Sequence, residues 1–372
     1  MTKVPVRPEM ESFKPYSPGL SIDEIKKRYG LTRVIKMASN ENPLGVSPVV
    51  RERLARAGAL AFRYAQAGTP ALTEALAAHL GVPQSCLVAG NGSDEIIDLL
   101  LRVVARPGVD NVVAFDPCFS IYGLQSRLCG VEFRQAPLNA DFSFPLDALL
   151  DTADENTALV FVTNPDNPSG HACPARDLLA LAGRLPARAL LVVDEAYIDF
   201  ADPLDEFSML PHFRTLPNLV ILRTFSKMYG LAGLRLGYGI MPQWLASLVL
   251  RVKLPFSVNI LAEQAGLVAL EDDVFLAETL RTVHEGRALL SQALADLDCT
   301  VHPSQANFLM FAPPMDAGIL FEELLRRGII IRPLASYGMP DRLRVSIGNR
   351  DENREFLATT TEVLREHNHH HP

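Results

Sequence analysis

Short, continuous apolar segments rich in β-branched residues recur along the first two-thirds of the chain. The clearest are Cys86–Ala89, Val112–Phe115, Ala158–Val162, Leu190–Val193 and Leu219–Leu222. Each ends at polar or glycine-rich sequence, which is typical of strands buried on both faces of a parallel sheet. Helix-like stretches lie between them, among them Ser93–Val104 and Ala175–Arg184. This alternation predicts an α/β fold with a large, doubly wound, mostly parallel sheet.

The pattern changes after about residue 250. The helix-like stretch Ile260–Leu270 leads into helix-rich sequence with two further apolar runs, Phe308–Phe311 and Leu343–Ile347. We therefore predict a large domain at 46–250 and a smaller α+β domain at 251–366. Residues 1–45, with a helix-like segment at Ser21–Arg28, are predicted to form an N-terminal arm and part of the small domain. The histidine-rich tail, 367–372, is interpreted as an extension without a role in mechanism.

Composition and charge narrow the class of protein. The 372 residues are 48% hydrophobic with a net charge of −8, which argues against nucleic acid or an anionic membrane as the main partner. No apolar run reaches about 18 residues and the start lacks a signal peptide, so we expect a cytoplasmic protein. The five cysteines are scattered, odd in number and without a C-x-x-C pair, which indicates reduced thiols.

A lysine stands among hydroxyl residues, glycines and an arginine directly after the run Leu219–Leu222. Burial and a neighbouring cation would bring the Lys227 amine towards the neutral form that attacks a carbonyl. Thr224, Ser226 and Arg235 suit a phosphate. Together they indicate a site for pyridoxal phosphate (PLP). The alternative is a strand end with ordinary surface charges.

Polar residues that follow the neighbouring runs fit the same cofactor. A buried carboxylate at Asp194 would need a cationic partner, which a protonated pyridine nitrogen supplies. Asn167 and Tyr197 could donate to the phenolate oxygen, and Phe119 could stack on the ring, although a lone phenylalanine is more often a core residue. The structural alternatives are a tight turn around Asn167 and a metal ligand at Asp194. No histidine or cysteine with ligand spacing supports the metal, so none is expected.

The segment Gly90–Glu95 follows an apolar run and opens a predicted helix. Its backbone N–H groups and the positive helix end could hold a phosphate. It is neither a complete G-x-G-x-x-G nor a P-loop, which argues against nucleotide binding. The alternative is a turn in which Ser93 caps the helix and Asp94 favours its first turn.

With these segments in this order, the chain resembles the fold-type I PLP-dependent aminotransferases nearly end to end, and among them the histidinol-phosphate aminotransferase family. The segments that carry the resemblance are Pro15–Gly19, Lys36–Gly45, Gly92–Glu95, Asn164–Gly170, Asp194–Tyr197 and Ser226–Arg235. Their joint match is highly specific for the superfamily and moderately specific for the substrate. Arg63–Gly68 departs from the family's R-Y-P-D pattern, because the proline is replaced and only the tyrosine remains.

The resemblance implies a role for each matching residue. Lys227 would bond to the cofactor and then act as general acid and base, with Asp194 and Tyr197 as its catalytic partners. The implied cofactor-binding residues are Ser93, Asp94, Phe119, Asn167, Asp194, Tyr197, Thr224, Ser226, Lys227 and Arg235, with Tyr64 supplied by the partner subunit. A homodimer with shared sites is therefore expected. The implied substrate-binding residues are Arg344 and Arg332, whose planar guanidinium groups pair with carboxylate or phosphate, and more weakly Tyr16 and Asn40.

The implied activity is transamination between glutamate and imidazole-acetol phosphate, which yields 2-oxoglutarate and histidinol phosphate in histidine biosynthesis. Two other enzyme activities stay open: transamination of phenylalanine or other aromatic amino acids, and decarboxylation of threonine phosphate. A non-catalytic binding module with the same fold is a further alternative, because fold alone does not establish activity. The absence of an appended basic DNA-binding segment argues against that module.

Overall fold

The computed structural model describes Met10, Phe13 and residues 20–370, with side chains described as far as residue 367. Within this part the strands are β1 (Ile35–Lys36), β2 (Leu87–Gly90), β3 (Asn111–Asp116), β4 (Glu132–Pro137), β5 (Thr157–Thr163), β6 (Leu190–Asp194), β7 (Leu219–Thr224), β8 (Gly237–Ile240), β9 (Thr300–Val301), β10 (Phe308–Ala312), β11 (Ile329–Ile330), β12 (Arg332–Pro333) and β13 (Leu343–Ser346). The α-helices are α1 (Ile22–Tyr29), α2 (Pro48–Ala57), α3 (Pro70–Leu80), α4 (Ser93–Val104), α5 (Ile121–Leu128), α6 (Leu146–Thr152), α7 (Ala175–Ala182), α8 (Leu204–Phe207), α9 (Gln243–Val252), α10 (Ile260–Ala269), α11 (Asp273–Ala295), α12 (Ala317–Arg326) and α13 (Arg350–His370).

The central element is a seven-stranded sheet in the order β2-β8-β7-β6-β5-β3-β4. Strand β8 runs antiparallel to both of its neighbours, and the other pairs are parallel. Alternate residues of β5 face opposite sides: Val160 and Val162 belong to one hydrophobic core, and Leu159 and Phe161 to another. A sheet buried on both faces is what the continuous apolar runs predict. The predicted doubly wound α/β fold is confirmed.

A second, smaller sheet lies in the C-terminal third of the chain. It has the order β12-β13-β10-β9 and is antiparallel throughout. The segment before the large sheet joins this region, because β1 pairs with β11 through Ile35 and Ile329. The boundaries at residues 45 and 250 stay predictions. The last helix extends beyond the predicted boundary at 366, since α13 continues to His370.

Two strands of the large sheet were not predicted from the sequence. The edge strand β4 is partly exposed and contains Glu132, Arg134 and Gln135, so it lacks an apolar run. Strand β8 reads Gly-Tyr-Gly-Ile, and its glycines obscure the hydrophobic pattern. Among the helices of the described residues, none is long and apolar enough to cross a membrane.

The sheet register brings polar strand ends together at one edge. Thr163 at the end of β5 pairs with Asp194 at the end of β6, and Asp194 pairs in turn with Leu222 of β7. The chain beyond Thr224 therefore leaves the sheet beside Asp194. Ligands of open α/β sheets bind beyond such carboxyl ends.

Candidate active site

Lys227 lies in the turn after β7 and lines a cavity of about 270 Å³ at this edge of the sheet. Its Nζ donates to the carbonyl oxygen of Ser39 at 3.2 Å. The turn is held by Asn42, whose Nδ2 donates to the carbonyl oxygen of Met228 at 2.8 Å. Gly230 has a φ of +68°, and a Cβ at this position would lie 2.1 Å from the carbonyl oxygen of Gly45. The turn therefore requires glycine both for its backbone angle and for this close approach.

Burial lowers the pKa of Lys227 to about 8. The positive charges of Arg344 and Arg235 lower it in the same direction, while Glu41 and Asp94 oppose them. An amine with this pKa exists partly as the neutral nucleophile near neutral pH. This is the environment that the sequence predicts for the lysine.

Asp194 ends β6 as a buried carboxylate at the other side of the cavity. Its Oδ2 accepts a hydrogen bond from the Tyr122 hydroxyl at 2.8 Å, and its Oδ1 accepts one from the Ala196 N–H at 3.1 Å. Burial raises the pKa of Asp194 to about 6. Among residues 20–370, no cationic side chain forms an ion pair with this carboxylate. A buried carboxylate in this state needs a cation to be stable when ionised.

Asn167 and Tyr197 meet above Asp194 in a hydrogen-bonded group that includes Asn40. Tyr197 Oη accepts from Asn40 Nδ2 at 3.1 Å and from Asn167 Nδ2 at 3.5 Å. Burial raises the pKa of Tyr197, so the phenol keeps its hydrogen for donation at neutral pH. The Arg344 guanidinium donates to Asn167 Oδ1 and to the carbonyl oxygen of Ala38. Asn40 and Arg344 thus lie directly behind the residues that line the cavity.

A cradle for an anion forms another part of the cavity lining. Helix α4 begins at Ser93, so its positive end faces the cavity beside Asp94. Arg235 Nη2 lies 3.2 Å from Asp94 Oδ2, and a Cβ on Gly92 would lie 2.8 Å from the same Nη2. The helix N-cap is Gly92 and carries no side-chain cap bond, so the alternative interpretation of Ser93 as N-cap is wrong.

The hydroxyl side of this cradle comes from the turn after β7. Thr224 Oγ1 accepts from the Ser226 N–H at 3.0 Å, and both residues line the cavity. A Cβ on Gly237 would lie only 2.4 Å from the Ser93 nitrogen, so glycine at this position of β8 allows the α4 loop to approach the sheet. Hydroxyls, a helix end and a guanidinium around a small space are suited to a phosphate.

The remaining predicted residues lie in different places. Phe119 lines the cavity. Tyr64 does not; its side chain is 80% exposed and stacks on Phe256 with ring centroids 4.7 Å apart. Arg332 lines a larger neighbouring cleft of about 670 Å³. Tyr16 lies outside the described residues.

Tyr122 and Thr163 are among the residues of the site that were missed from the sequence. Tyr122 donates to Asp194, and Thr163 Oγ1 lies 2.8 Å from the same tyrosine hydroxyl oxygen. The spacing of Tyr122 three residues after Phe119, at the start of a helix, is a signal that both face the same side. Thr163 carries no comparable signal, since it is one of several polar residues that end apolar runs.

Glu195 is engaged in a structural ion pair. Its carboxylate lies 2.7 Å from the Arg223 guanidinium and accepts from the Met209 N–H at 2.6 Å. It therefore points away from Asp194 and towards the core beneath β7. The described residues contain no group of three or more His, Cys, Asp or Glu side chains arranged for a metal ion.

These observations define what fits the cavity. The cavity lining offers an uncompensated carboxylate at Asp194 together with a helix N-terminus, hydroxyls and Arg235. Lys227, with its lowered pKa, belongs to the same lining. A group with a protonatable ring nitrogen, an aldehyde and a phosphate meets all three requirements, and PLP is such a group.

Comparisons with known proteins agree with this chemistry. Residues 32–359 match the family described as "Aminotransferase class I and II". The chain is 60% identical over 364 residues to the histidinol-phosphate aminotransferase of Oleidesulfovibrio alaskensis, covering 97% of this chain and 95% of the relative. It is 62% identical over 359 residues to that of Nitratidesulfovibrio vulgaris, covering 96% of each.

A solved structure shows the same architecture. The histidinol-phosphate aminotransferase of Sinorhizobium meliloti, in complex with pyridoxal-5'-phosphate, superposes with a TM-score of 0.87 at 27% identity. The match covers 97% of this chain and 98% of that one. The chain belongs to the class I and II aminotransferase family, and its sequence places it among the histidinol-phosphate aminotransferases.

Proposed function

We propose that this protein is a PLP-dependent transaminase that transfers the amino group of glutamate to imidazole-acetol phosphate, as a step of histidine biosynthesis. The observation that carries the proposal is a single cavity in which Lys227, Asp194 and the Arg235 cradle lie together. The names of relatives that are 60% and 62% identical support the choice of substrate. The cytoplasmic location stays a prediction from the sequence.

When bound, PLP supplies an aldehyde that bonds to amines and a ring that accepts electrons. Lys227 provides the amine for this bond and, once released, carries a proton between the substrate Cα and the cofactor. Its pKa of about 8 suits both tasks, since the amine is neither fully protonated nor strongly basic near neutral pH. Asp194 would hold the ring nitrogen, and Asn167 and Tyr197, which line the same cavity, would donate to the phenolate oxygen.

Arg344 and Arg332 are the proposed binding residues for the two anionic groups of the substrates, a carboxylate and a phosphate. Arg332 of β12 is the cross-strand partner of Arg344 of β13, so their side chains leave the same face of the sheet. Arg344 Nε is buried and has no hydrogen-bond partner among the described residues. Since Arg332 lines the larger cleft, we assign the α-carboxylate to Arg344 and the phosphate of the longer substrate to Arg332.

A second copy of the chain is proposed to complete the site. The Arg235 side chain is 46% exposed at the phosphate end, so this end of the cavity is open on one side. Tyr64 and its stacking partner Phe256 form an exposed apolar surface with Phe62 and Leu254. A surface of this kind is typical of an interface. A homodimer in which Tyr64 reaches the partner's cofactor phosphate accounts for both features.

Substrate competition tests the function. The purified full-length chain should transaminate imidazole-acetol phosphate with glutamate at a higher kcat/KM than phenylpyruvate. Equal or better efficiency with phenylpyruvate would refute the substrate, and release of carbon dioxide from threonine phosphate would favour the decarboxylase. Lys227→Ala should abolish both turnover and the visible absorbance of the Schiff base between the lysine and the cofactor. Sedimentation of the wild type should show a dimer.

A further inference from the structure

Tyr122 lies behind the cavity wall and contacts two of the residues that face the cofactor site. It is fully buried on the first turn of α5. Its hydroxyl donates to Asp194 Oδ2 at 2.8 Å. Its ring meets Phe119 edge-on, with centroids 5.6 Å apart and 87° between the planes. One side chain therefore touches both the carboxylate and the aromatic ring that the proposed function places against the pyridine ring.

The hydroxyl of Tyr122 has a second neighbour that fixes its direction. Thr163 Oγ1 lies 2.8 Å away, and either oxygen could donate. When Asp194 is ionised it can only accept, so the tyrosine donates to the carboxylate and Thr163 donates to the tyrosine oxygen. Thr163 and Asp194 are paired residues of β5 and β6, so the sheet register sets this spacing.

The position of the tyrosine ring is set by packing. It stacks on Phe161 with centroids 4.4 Å apart and 10° between the planes. Burial raises the pKa of Tyr122 well above its ordinary value, so the phenol remains a donor throughout the physiological range. The hydrogen bond to Asp194 is thus available from a rigid group that does not itself ionise.

The surroundings of Asp194 favour its protonated form, so the hydrogen bond from the Tyr122 hydroxyl is important for keeping it ionised. Burial favours the protonated carboxyl, and the negative charges of Asp94 and Glu195 act in the same direction. Glu195 is paired with Arg223, and Asp94 lies near Arg235, so neither cation forms an ion pair with Asp194. The Tyr122 hydroxyl and the Ala196 N–H oppose protonation. Of these two, only the tyrosine acts through a side chain that can be replaced.

We propose that Tyr122 is a positioning residue that keeps Asp194 ionised and oriented towards the pyridine nitrogen, and that holds Phe119 against the face of the ring. The proposal deepens the proposed function, because it rests on PLP as the ligand of this cavity. It does not depend on which oxo acid the enzyme uses.

Titration of the full-length chain with PLP, followed by visible absorbance, tests the role. Tyr122→Phe removes the hydroxyl and keeps the ring, and a hydrogen bond to a charged group is strong enough that affinity should fall about tenfold or more at neutral pH. Tyr122→Leu should bind more weakly still, because the ring contacts with Phe161 and Phe119 are also lost. Tyr238→Phe is the matched control, since Tyr238 is a buried tyrosine of β8 that contacts Arg223 rather than Asp194.

The pH dependence of PLP binding distinguishes a positioning role of Tyr122 from a general effect of the substitution on protein stability. Loss of the donor should move the acid limit of PLP binding upward by about one pH unit in Tyr122→Phe, as a tenfold loss corresponds to one unit. Thr163→Val should move it in the same direction by less, which keeps the test valid if a Tyr122 variant folds poorly. KM for glutamate should stay near the wild-type value while kcat falls.

Three outcomes would overturn the proposal. They are wild-type PLP affinity in Tyr122→Phe across the pH range, an equal loss in Tyr238→Phe, or a lower melting temperature with an unchanged pH profile. Failure of the proposed function gives a different result. A wild type that binds PLP but does not transaminate imidazole-acetol phosphate would refute the substrate and leave the effect of Tyr122 on PLP binding intact.

Discussion

The lowered pKa of Lys227 makes a prediction about stability that is independent of catalysis. In the apoprotein, replacement by methionine, Lys227→Met, keeps the length of the side chain and removes its charge. Lowering the pKa from 10.5 to about 8 means that the folded state disfavours the ammonium by about 3.4 kcal/mol. The wild type should therefore be less stable than Lys227→Met at neutral pH, and the difference should shrink as the pH rises.

The direction follows from proton binding. Between the folded pKa of about 8 and the ordinary value of 10.5, the unfolded chain binds more protons than the folded one, so wild-type stability rises with pH in this window. Below about pH 8 the full cost of burying the ammonium is present. Evaluated for these two pKa values, the contribution changes by about 2.5 kcal/mol between pH 7 and pH 10. The variant lacks this dependence.

The measurement is thermal unfolding of the two apoproteins at pH 7 and pH 10. With an unfolding entropy of about 2.1 cal/mol/K per residue, 372 residues convert 2.5 kcal/mol into a change of about 3 °C in the Tm difference. Lys27→Met, at an exposed position of α1, controls for the loss of a positive charge elsewhere. A Tm difference between wild type and Lys227→Met that is the same at both pH values would refute the reasoning, because the lysine would then not be strained by burial.

Three further predictions concern other parts of the site. At saturating PLP, Asp194→Asn should still show bound cofactor by absorbance yet lose about a hundredfold or more in kcat, because a neutral amide does not stabilise a charged ring, and undiminished turnover would contradict the pairing. Glu195→Gln should destabilise the protein by about 3–5 kcal/mol in urea, since it leaves Arg223 buried without its counter-charge, and a loss below about 1 kcal/mol would show that the pair contributes little. Gly237→Ala should weaken PLP binding at least about tenfold, because the new Cβ would lie 2.4 Å from the Ser93 nitrogen and displace the cradle, whereas near-normal affinity would show that the loop can shift without cost.

The strands that could be predicted are those whose own sequence shows that both of their faces are buried. Runs such as Ala158–Val162 are apolar on both sides, so their strands could be located from composition alone, and β5 differs from its prediction by one residue at each end. Strands β4 and β8 were not predicted, because their burial depends on the neighbouring strands and loops rather than on their own sequence. An edge strand exposes polar residues. In β8, Gly237 is required by the loop before α4, and Gly239 is crowded by the side chains of Ile96 and Met241.

Some residues of the site could likewise be predicted from the local sequence, and others depend on how distant elements pack. Lys227 and Asp194 could be placed together because each directly follows an apolar run, and parallel strands end at a common edge. The contact between Tyr122 and Asp194 depends on the packing of α5 against the sheet, which no local pattern reports. The placement of Arg332 in a second cleft depends on a cross-strand pair with Arg344 that forms only when β12 and β13 meet.

Charge favours one orientation of the proposed cofactor in this cavity. Among the described residues no cationic side chain forms an ion pair with Asp194, while Arg235, the N-terminus of α4 and the hydroxyls of the lining suit an anion. A ligand with a cationic ring nitrogen and a phosphate meets both requirements when the nitrogen faces Asp194 and the phosphate faces Arg235. The reverse orientation would place the phosphate against a buried carboxylate. Lys227 lines the same cavity as Asp194 and Arg235, so its amine would lie within this site when the ligand is bound. The lysine needs a low pKa there, and the burial that favours its neutral form also leaves Asp194 dependent on the ligand for its counter-charge. Burial of the cavity thus has two effects: it lowers the pKa of Lys227, and it makes Asp194 depend on a bound cation.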